Sequence, residues 1–319
     1  MIRLATRPGW QVVVIAQPPA LQILQRHGHA CLAVALPPVT TEDNAGAMLS
    51  VAREILAAEK PDIIVAGLSS PGDGGIDEAL LAVRQVPALL MQDFWGEQNS
   101  YFGRGADAFL ALDVLAQTIN LAKHHKPSFI VGSPRHARLA NLDLAAERRQ
   151  IRQQLNTLHG QTVFGWFGQS LHHLSGYRRS LADWIDAVSA MGDCQILYKP
   201  HPREDETVRQ ETSAIFAAAG LPHQTLSGWS IERALLACDV ATSILSNCLY
   251  DAAYLNHFSA EPLITPIAWL AEPDVREVFD AVVPVMELPY SSAGLALIVQ
   301  DRSEVANVIP AACKTATRE

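Results

Sequence analysis

Short apolar runs return along this chain, separated by amphipathic stretches, and that rhythm limits the folds open to it more than any other feature. In the first half, Gln11–Ala16, Ala30–Leu36, Asp62–Gly67, Pro87–Met91, Ala108–Leu112 and Ser128–Val131 read as strands. Pro18–His27, Ala45–Ala58 and Ile76–Arg84 read as helices between them, with Gly28 and Lys60-Pro61 as stops. Strand, helix, strand order predicts a parallel sheet covered on both faces. A polar-rich helical stretch, Leu139–Leu158, then reads as a bridge, with Glu147, Arg148, Arg149, Arg152 and Gln153 expected at the surface.

The rhythm restarts beyond it. Thr162–Phe167, Gln195–Tyr198, Asp239–Leu245 and Pro262–Ile264 read as strands, with Val282–Val285 as the last. Tyr177–Ala190, Thr207–Ala219, Asn247–Leu255 and Ala293–Ala311 read as helices, Gly220 ending the second and Ser230 capping another. The expected class is α/β, with two doubly wound Rossmann-like domains facing a cleft and spanning residues 1–145 and 146–319. A length of 319 residues suits two domains.

Charge and cysteine usage exclude several classes. The net charge is −9 with no basic block, which argues against a nucleic-acid partner but leaves a local nucleotide site open. No apolar stretch is long and pure enough to span a bilayer, and Met1–Trp10 lacks a long apolar signal core. A cytoplasmic protein is expected, with peripheral membrane contact left open. Cys31, Cys194, Cys238, Cys248 and Cys313 form no C-x-x-C pair and read as free thiols. His124-His125 and His172-His173 are adjacent pairs, which cannot share a face, so no metal site is expected. Neither an Asp-x-Asp clamp nor a G-x-S-x-G elbow occurs.

The chemistry concentrates at strand exits. Cys194–Arg203 ends as Lys199-Pro200-His201-Pro202-Arg203, where two prolines hold the backbone extended. Alternate residues of an extended segment share a face, so Lys199, His201 and Arg203 are expected together, a set suited to phosphate or carboxylate. The plainer alternative is a strand exit with solvated charges. Gly168-Gln169-Ser170 closes an earlier strand and taken alone is a tight turn. Ser243–Asp251 passes from strand to helix, where Ser246 and Asn247 either bind an anion or cap the helix. Ser69–Glu78 is glycine-rich but lacks the Walker lysine, and reads as a loop with Asp73 or Asp77 available. Met91–Ser100 offers Asp93 and Glu97 as general-base candidates, and Trp95 either as a sugar platform or as a cap on the core. Gly132–His136 reads as linker, with Arg135 or His136 the residues able to reach a cleft.

Taken together, residues from about 160 to 260 resemble the carboxyl-terminal domain of GT-B glycosyltransferases and of the sugar-nucleotide 2-epimerases that share their fold. The resemblance rests on Gly168-Gln169-Ser170, Lys199-Pro200-His201-Pro202, Ser230-Ile231-Glu232 before Cys238-Asp239-Val240, and Ser243 to Asp251. Lys-Pro-His-Pro after a strand is most similar to capsule, polysialic-acid and teichoic-acid type transferases. The resemblance implies a nucleotide-sugar donor on the second domain and a glycan or glycoprotein acceptor on the first, with no cofactor and no obligatory metal. It implies Gly168, Gln169, Ser170, Lys199, His201, Arg203, Ser243, Ser246, Asn247 and Asp251 as donor-binding residues. His201, with Asp93 or Glu97 as base, would be catalytic. The chain is short for such a transferase and has Asp251 where a glutamate is common, without the Glu-x7-Glu pair of many retaining members. That favours inversion, with a CMP-linked acidic sugar as one candidate donor. An epimerase or hydrolase on the same fold and a non-catalytic partner subunit are the rival expectations.

Overall fold

The computed structural model describes residues 8–39, 44–69, 73–282 and 293–316. It divides into two compact units, Met1–Gly132 and Ser133–Glu319.

Among its described residues, the first unit holds six strands. β1 (Ile15–Ala16) and β2 (Leu32–Ala33) pair in parallel, and β3 (Ile64–Ala66), β4 (Ala88–Met91), β5 (Ala108–Ala111) and β6 (Ser128–Ile130) form a second parallel sheet in that order. The expected strands at Gln11–Ala16 and Ala30–Leu36 shrink to two residues each. The apolar stretch of the second is flanked by turn residues, and Leu32–Ala33 is exposed, so little burial supports a longer ladder. Met48, Ala52 and Ile55 on the helix Ala45–Glu59 pack with Ile76, Ala79 and Leu80 on the helix Ile76–Val83. Spacings of three and four residues put each set on one helix face.

A helix that the sequence reading missed, Val114–His124, follows β5. Asp113 caps it by accepting from Ala116 N at 2.7 Å, and His125 closes it at φ 55°. The cap stood in plain view, but Val114, Leu115 and Leu121 are exposed and blur the apolar period.

Among the described residues, the strands of the second unit form one six-stranded parallel sheet, built from β7 (Thr162–Phe167), β8 (Cys194–Lys199), β9 (His223–Thr225), β10 (Val240–Ser243), β11 (Thr265–Trp269) and β12 (Leu297–Val299). Their order is β12-β11-β10-β7-β8-β9. From β7 the chain winds to one side through β8 and β9, then returns to the other side for β10. The direction of winding therefore reverses between β7 and β10, the place where open α/β sheets bind ligands. Trp166, Tyr177, Trp184, Tyr198, Phe216 and Trp269 are almost fully buried in this unit. Gly165 lies where a Cβ would meet Cys238 Sγ at 2.6 Å and the Phe167 ring at 2.7 Å, which explains a glycine inside a central strand.

Several boundaries differ from the sequence reading. The stretch Leu139–Leu158 is not a bridge. Its helix, Leu144–Gln154, packs on the helix Ile231–Ala237. Arg148 is buried, and it donates to Cys238 O at 2.6 Å and pairs with Asp239 at 2.5 Å. The strand expected at Pro262–Ile264 begins at Thr265, and the helix expected over Ala293–Ala311 contains β12 instead. Leu297-Ile298-Val299 carries two β-branched residues, and each of the three has a partner on β11. Val282–Val285 lies largely outside the described residues. No helix among the described residues is long and apolar enough to cross a membrane.

Candidate functional site

In the second unit, β10, β7 and β8 are neighbours and end at one edge, with Phe167 opposite Lys199 in the ladder. Gly168 N extends that ladder by donating to Lys199 O at 2.9 Å. Extended backbone stops at Lys199. His201 to Glu204 then form a turn, with Glu204 N donating to His201 O at 3.0 Å.

That turn corrects the expectation of a shared face. Lys199, Pro200, His201 and Pro202 line a cavity of about 270 Å³ with Arg209, Ser227, Gly228 and Trp229, and exposed Arg203 is absent from its walls. Arg203 still acts on the site, because its backbone N donates to His201 Nδ1 at 3.2 Å. A neutral His201 therefore carries its proton on Nε2, leaving a donor for a ligand. Burial, together with the charges of Arg203 and Lys199, pushes the His201 pKa down. Burial and Arg209 push Lys199 down in the same way. An anion in the cavity would favour the charged form of both.

Below these cations sits Glu204, buried and bonded to the Tyr198 hydroxyl. Burial raises its pKa, while Tyr198, Arg209 and Lys199 oppose that rise. A Cβ on Gly168 would run into the Glu204 carboxylate, so this glycine makes room for it. Gln169 accepts from Leu245 N at 2.8 Å and its own N donates to the Tyr177 hydroxyl at 3.1 Å. It clamps the ends of β7 and β10. Ser170 is exposed.

The strand-to-helix turn after β10 is tightly self-bonded. Ser243 is fully buried and donates to Phe167 O at 2.7 Å. Ser246 accepts from Cys248 N at 3.2 Å through its hydroxyl and from Leu249 N at 3.2 Å through its carbonyl. Asn247 caps the helix Cys248–His257 without a side-chain bond. Asp251 is buried and faces another task. It bonds Arg135 and accepts from His136 Nε2 at 2.7 Å, while His136 Nδ1 meets Ser133 Oγ at 2.7 Å. His136 also stacks on Tyr254 with ring centroids 4.1 Å apart. Residues read as a linker are thus a strap over this helix, which is why the second unit begins at Ser133.

In the first unit, Trp95 is 1% exposed and donates to Asp113 at 2.9 Å, so it is core and not a sugar platform. Gln92 holds the loop by donating to Glu97 O at 2.9 Å. Burial, then the neighbouring Asp93 charge, lifts Glu97 to about 7, whereas Asp93 itself is exposed. Asp77 accepts from Ser69 at 2.6 Å, and residues 70–72 of that glycine-rich loop lie outside the described set. A larger crevice of about 550 Å³ in this unit runs between residues 9–15 and 59–67. Its charged lining, Glu59, Lys60, Asp62 and Asp77, is mixed in sign and gathers no set of donors.

Sequence reading missed Arg209 and Trp229. Arg209 sits on a helix whose charges look like a solvated face. Trp229 falls between Gly228, at φ 76°, and the N-cap Ser230, and the Arg233 guanidinium lies 4.7 Å from its ring. An aromatic residue pinned between a turn glycine and a helix cap was the available signal.

No family model and no curated protein matches this chain. Solved structures do. The UDP-GlcNAc 2-epimerase from Neisseria meningitidis, solved with UDP-GlcNAc, superposes with a TM-score of 0.63 at 10% identity, covering 98% of this chain and 94% of that one. S. aureus MnaA, solved with UDP, gives 0.61 at 11% identity over 96% and 81% of the two chains. A glycosyltransferase from Rickettsia africae gives 0.58 at 11% over 95% and 80%. The chain therefore has the GT-B type of fold, built from two Rossmann-like units.

Proposed function

We propose that the second unit binds a nucleotide-activated sugar through its phosphates, and that the chain is a metal-independent, inverting glycosyltransferase acting in surface polysaccharide or glycoprotein assembly. One observation carries this reading: Lys199, His201 and Arg209 converge on a cavity with no acidic lining residue, beyond the carboxyl end of β8. Lys199 supplies charge and His201 donates through Nε2 as negative charge grows on the departing phosphate. Trp229 offers a flat apolar face beside them for the base. Glu97, lifted to about 7, is suited to act as the general base, because a catalytic base works best with a pKa near the operating pH.

A second reading, sugar-nucleotide 2-epimerisation, draws support from the Neisseria protein, whose likeness extends over 98% of this chain. Incubation with UDP-, GDP- and CMP-linked sugars separates the readings. Transfer that needs a glycan acceptor supports the first, and an epimer or free sugar formed without acceptor supports the second. Nucleotide binding without turnover under any acceptor leaves a non-catalytic partner subunit.

A further inference from the structure

The cavity beside Lys199 contains a cation that the strand-exit motif does not supply. Arg209 stands in the first turn of the helix Glu206–Ala218 and lines the cavity opposite no acidic residue. Its ion-pair partner is Glu206, at 3.8 Å and 72% exposed, a contact that solvent screens heavily. Arg209 Nε is buried and has no hydrogen-bond partner among the described residues. A buried guanidinium N–H without an acceptor is unfavourable, and an anion in the cavity would supply one. Glu204 feels both Arg209 and Lys199, but it is engaged by the Tyr198 hydroxyl and does not line the cavity. Arg209 and Lys199 thus face the same space without a carboxylate between them in the wall.

Resting on the nucleotide-sugar reading, we propose that Arg209 is the specificity residue of the site. It holds a second anionic group that Lys199 and His201 do not neutralise, so the site takes nucleoside diphosphates in preference to nucleoside monophosphates. A cavity of about 270 Å³ is too small for a whole nucleotide sugar, but suits the phosphates. Arginine fits this task because its planar fork presents several donors at fixed angles, which a lysine cannot reproduce.

Calorimetric titration of the full chain with UDP, UMP, CDP and CMP tests this, using wild type, Arg209→Met and Arg209→Lys. Wild type should favour each diphosphate by about tenfold or more, the worth of one further charge-assisted pair. Arg209→Met should bring that ratio close to one while monophosphate affinity changes little, and Arg209→Lys should restore part of it. Equal weakening of all four ligands by Arg209→Met would overturn the assignment, as would a wild type without preference. Absence of any nucleotide binding would overturn the underlying donor-site reading along with it. Circular dichroism of each variant excludes loss of fold as the cause.

Discussion

At the scale of single residues, the most informative group is Glu97. Burial is the main cause of its raised pKa, and Asp93 adds to it by like-charge repulsion. A base must be ionised to accept a proton, so turnover should rise as pH passes through about 7. Asp93→Asn removes the repulsion and should shift that limb to lower pH. Glu97→Gln should remove the limb and lower kcat by about 10²–10⁴-fold. A pH–rate profile of the two variants checks both. A limb that stays put in Asp93→Asn and survives in Glu97→Gln would assign the proton transfer elsewhere. The sequence placed these two carboxylates in one loop but could not rank them. Ranking depends on burial, and the loop is held by bonds from Gln92 and Trp95 to Asn120 and Asp113 farther along the chain.

At the scale of elements, the strand exits were legible and the turn beyond them was not. Lys199-Pro200-His201-Pro202 announced where an apolar strand meets solvent, because apolar runs and prolines act locally. Whether Arg203 would stay on that face depended on Glu204 closing a turn onto His201 O, with its carboxylate held by the Tyr198 hydroxyl. Asp251 shows the same limit. Its place in the first turn of a helix fitted a donor site, but Arg135 and His136, more than a hundred residues earlier in the chain, engage its carboxylate. Removing it leaves His136 buried without that partner. Asp251→Ala should therefore destabilise the protein by about 1.5–3 kcal/mol, as loss of hydrogen bonds to a charged group does. Urea unfolding followed by circular dichroism measures this. A value near zero would mean the strap does not hold the helix.

At the scale of the whole molecule, strand–helix alternation foretold the α/β class and the restart near residue 160, because burial on both faces of a parallel sheet writes itself into composition. The sheet order of the second unit was beyond its reach, since β10 inserts beside β7 through pairings far apart in sequence. That order makes the site: it sets the ends of β10, β7 and β8 side by side. Solved proteins at 10% and 11% identity superpose on this fold, a likeness that residue identity alone would not reveal.

The proline-bounded corner at Lys199 and His201 is proposed to receive a nucleotide's phosphates. His201 is held below its ordinary pKa by burial and neighbouring cations, which favours its neutral form before a ligand arrives. An anion beside it would raise its pKa and draw in a proton. The most direct test is calorimetric titration of UDP and of CMP at pH 7, in two buffers of different ionisation enthalpy, with wild type and His201→Asn. Saturable binding with proton uptake is expected in wild type, and loss of that uptake with weaker binding in His201→Asn. Absence of binding, or uptake and affinity equal in the two proteins, would contradict it.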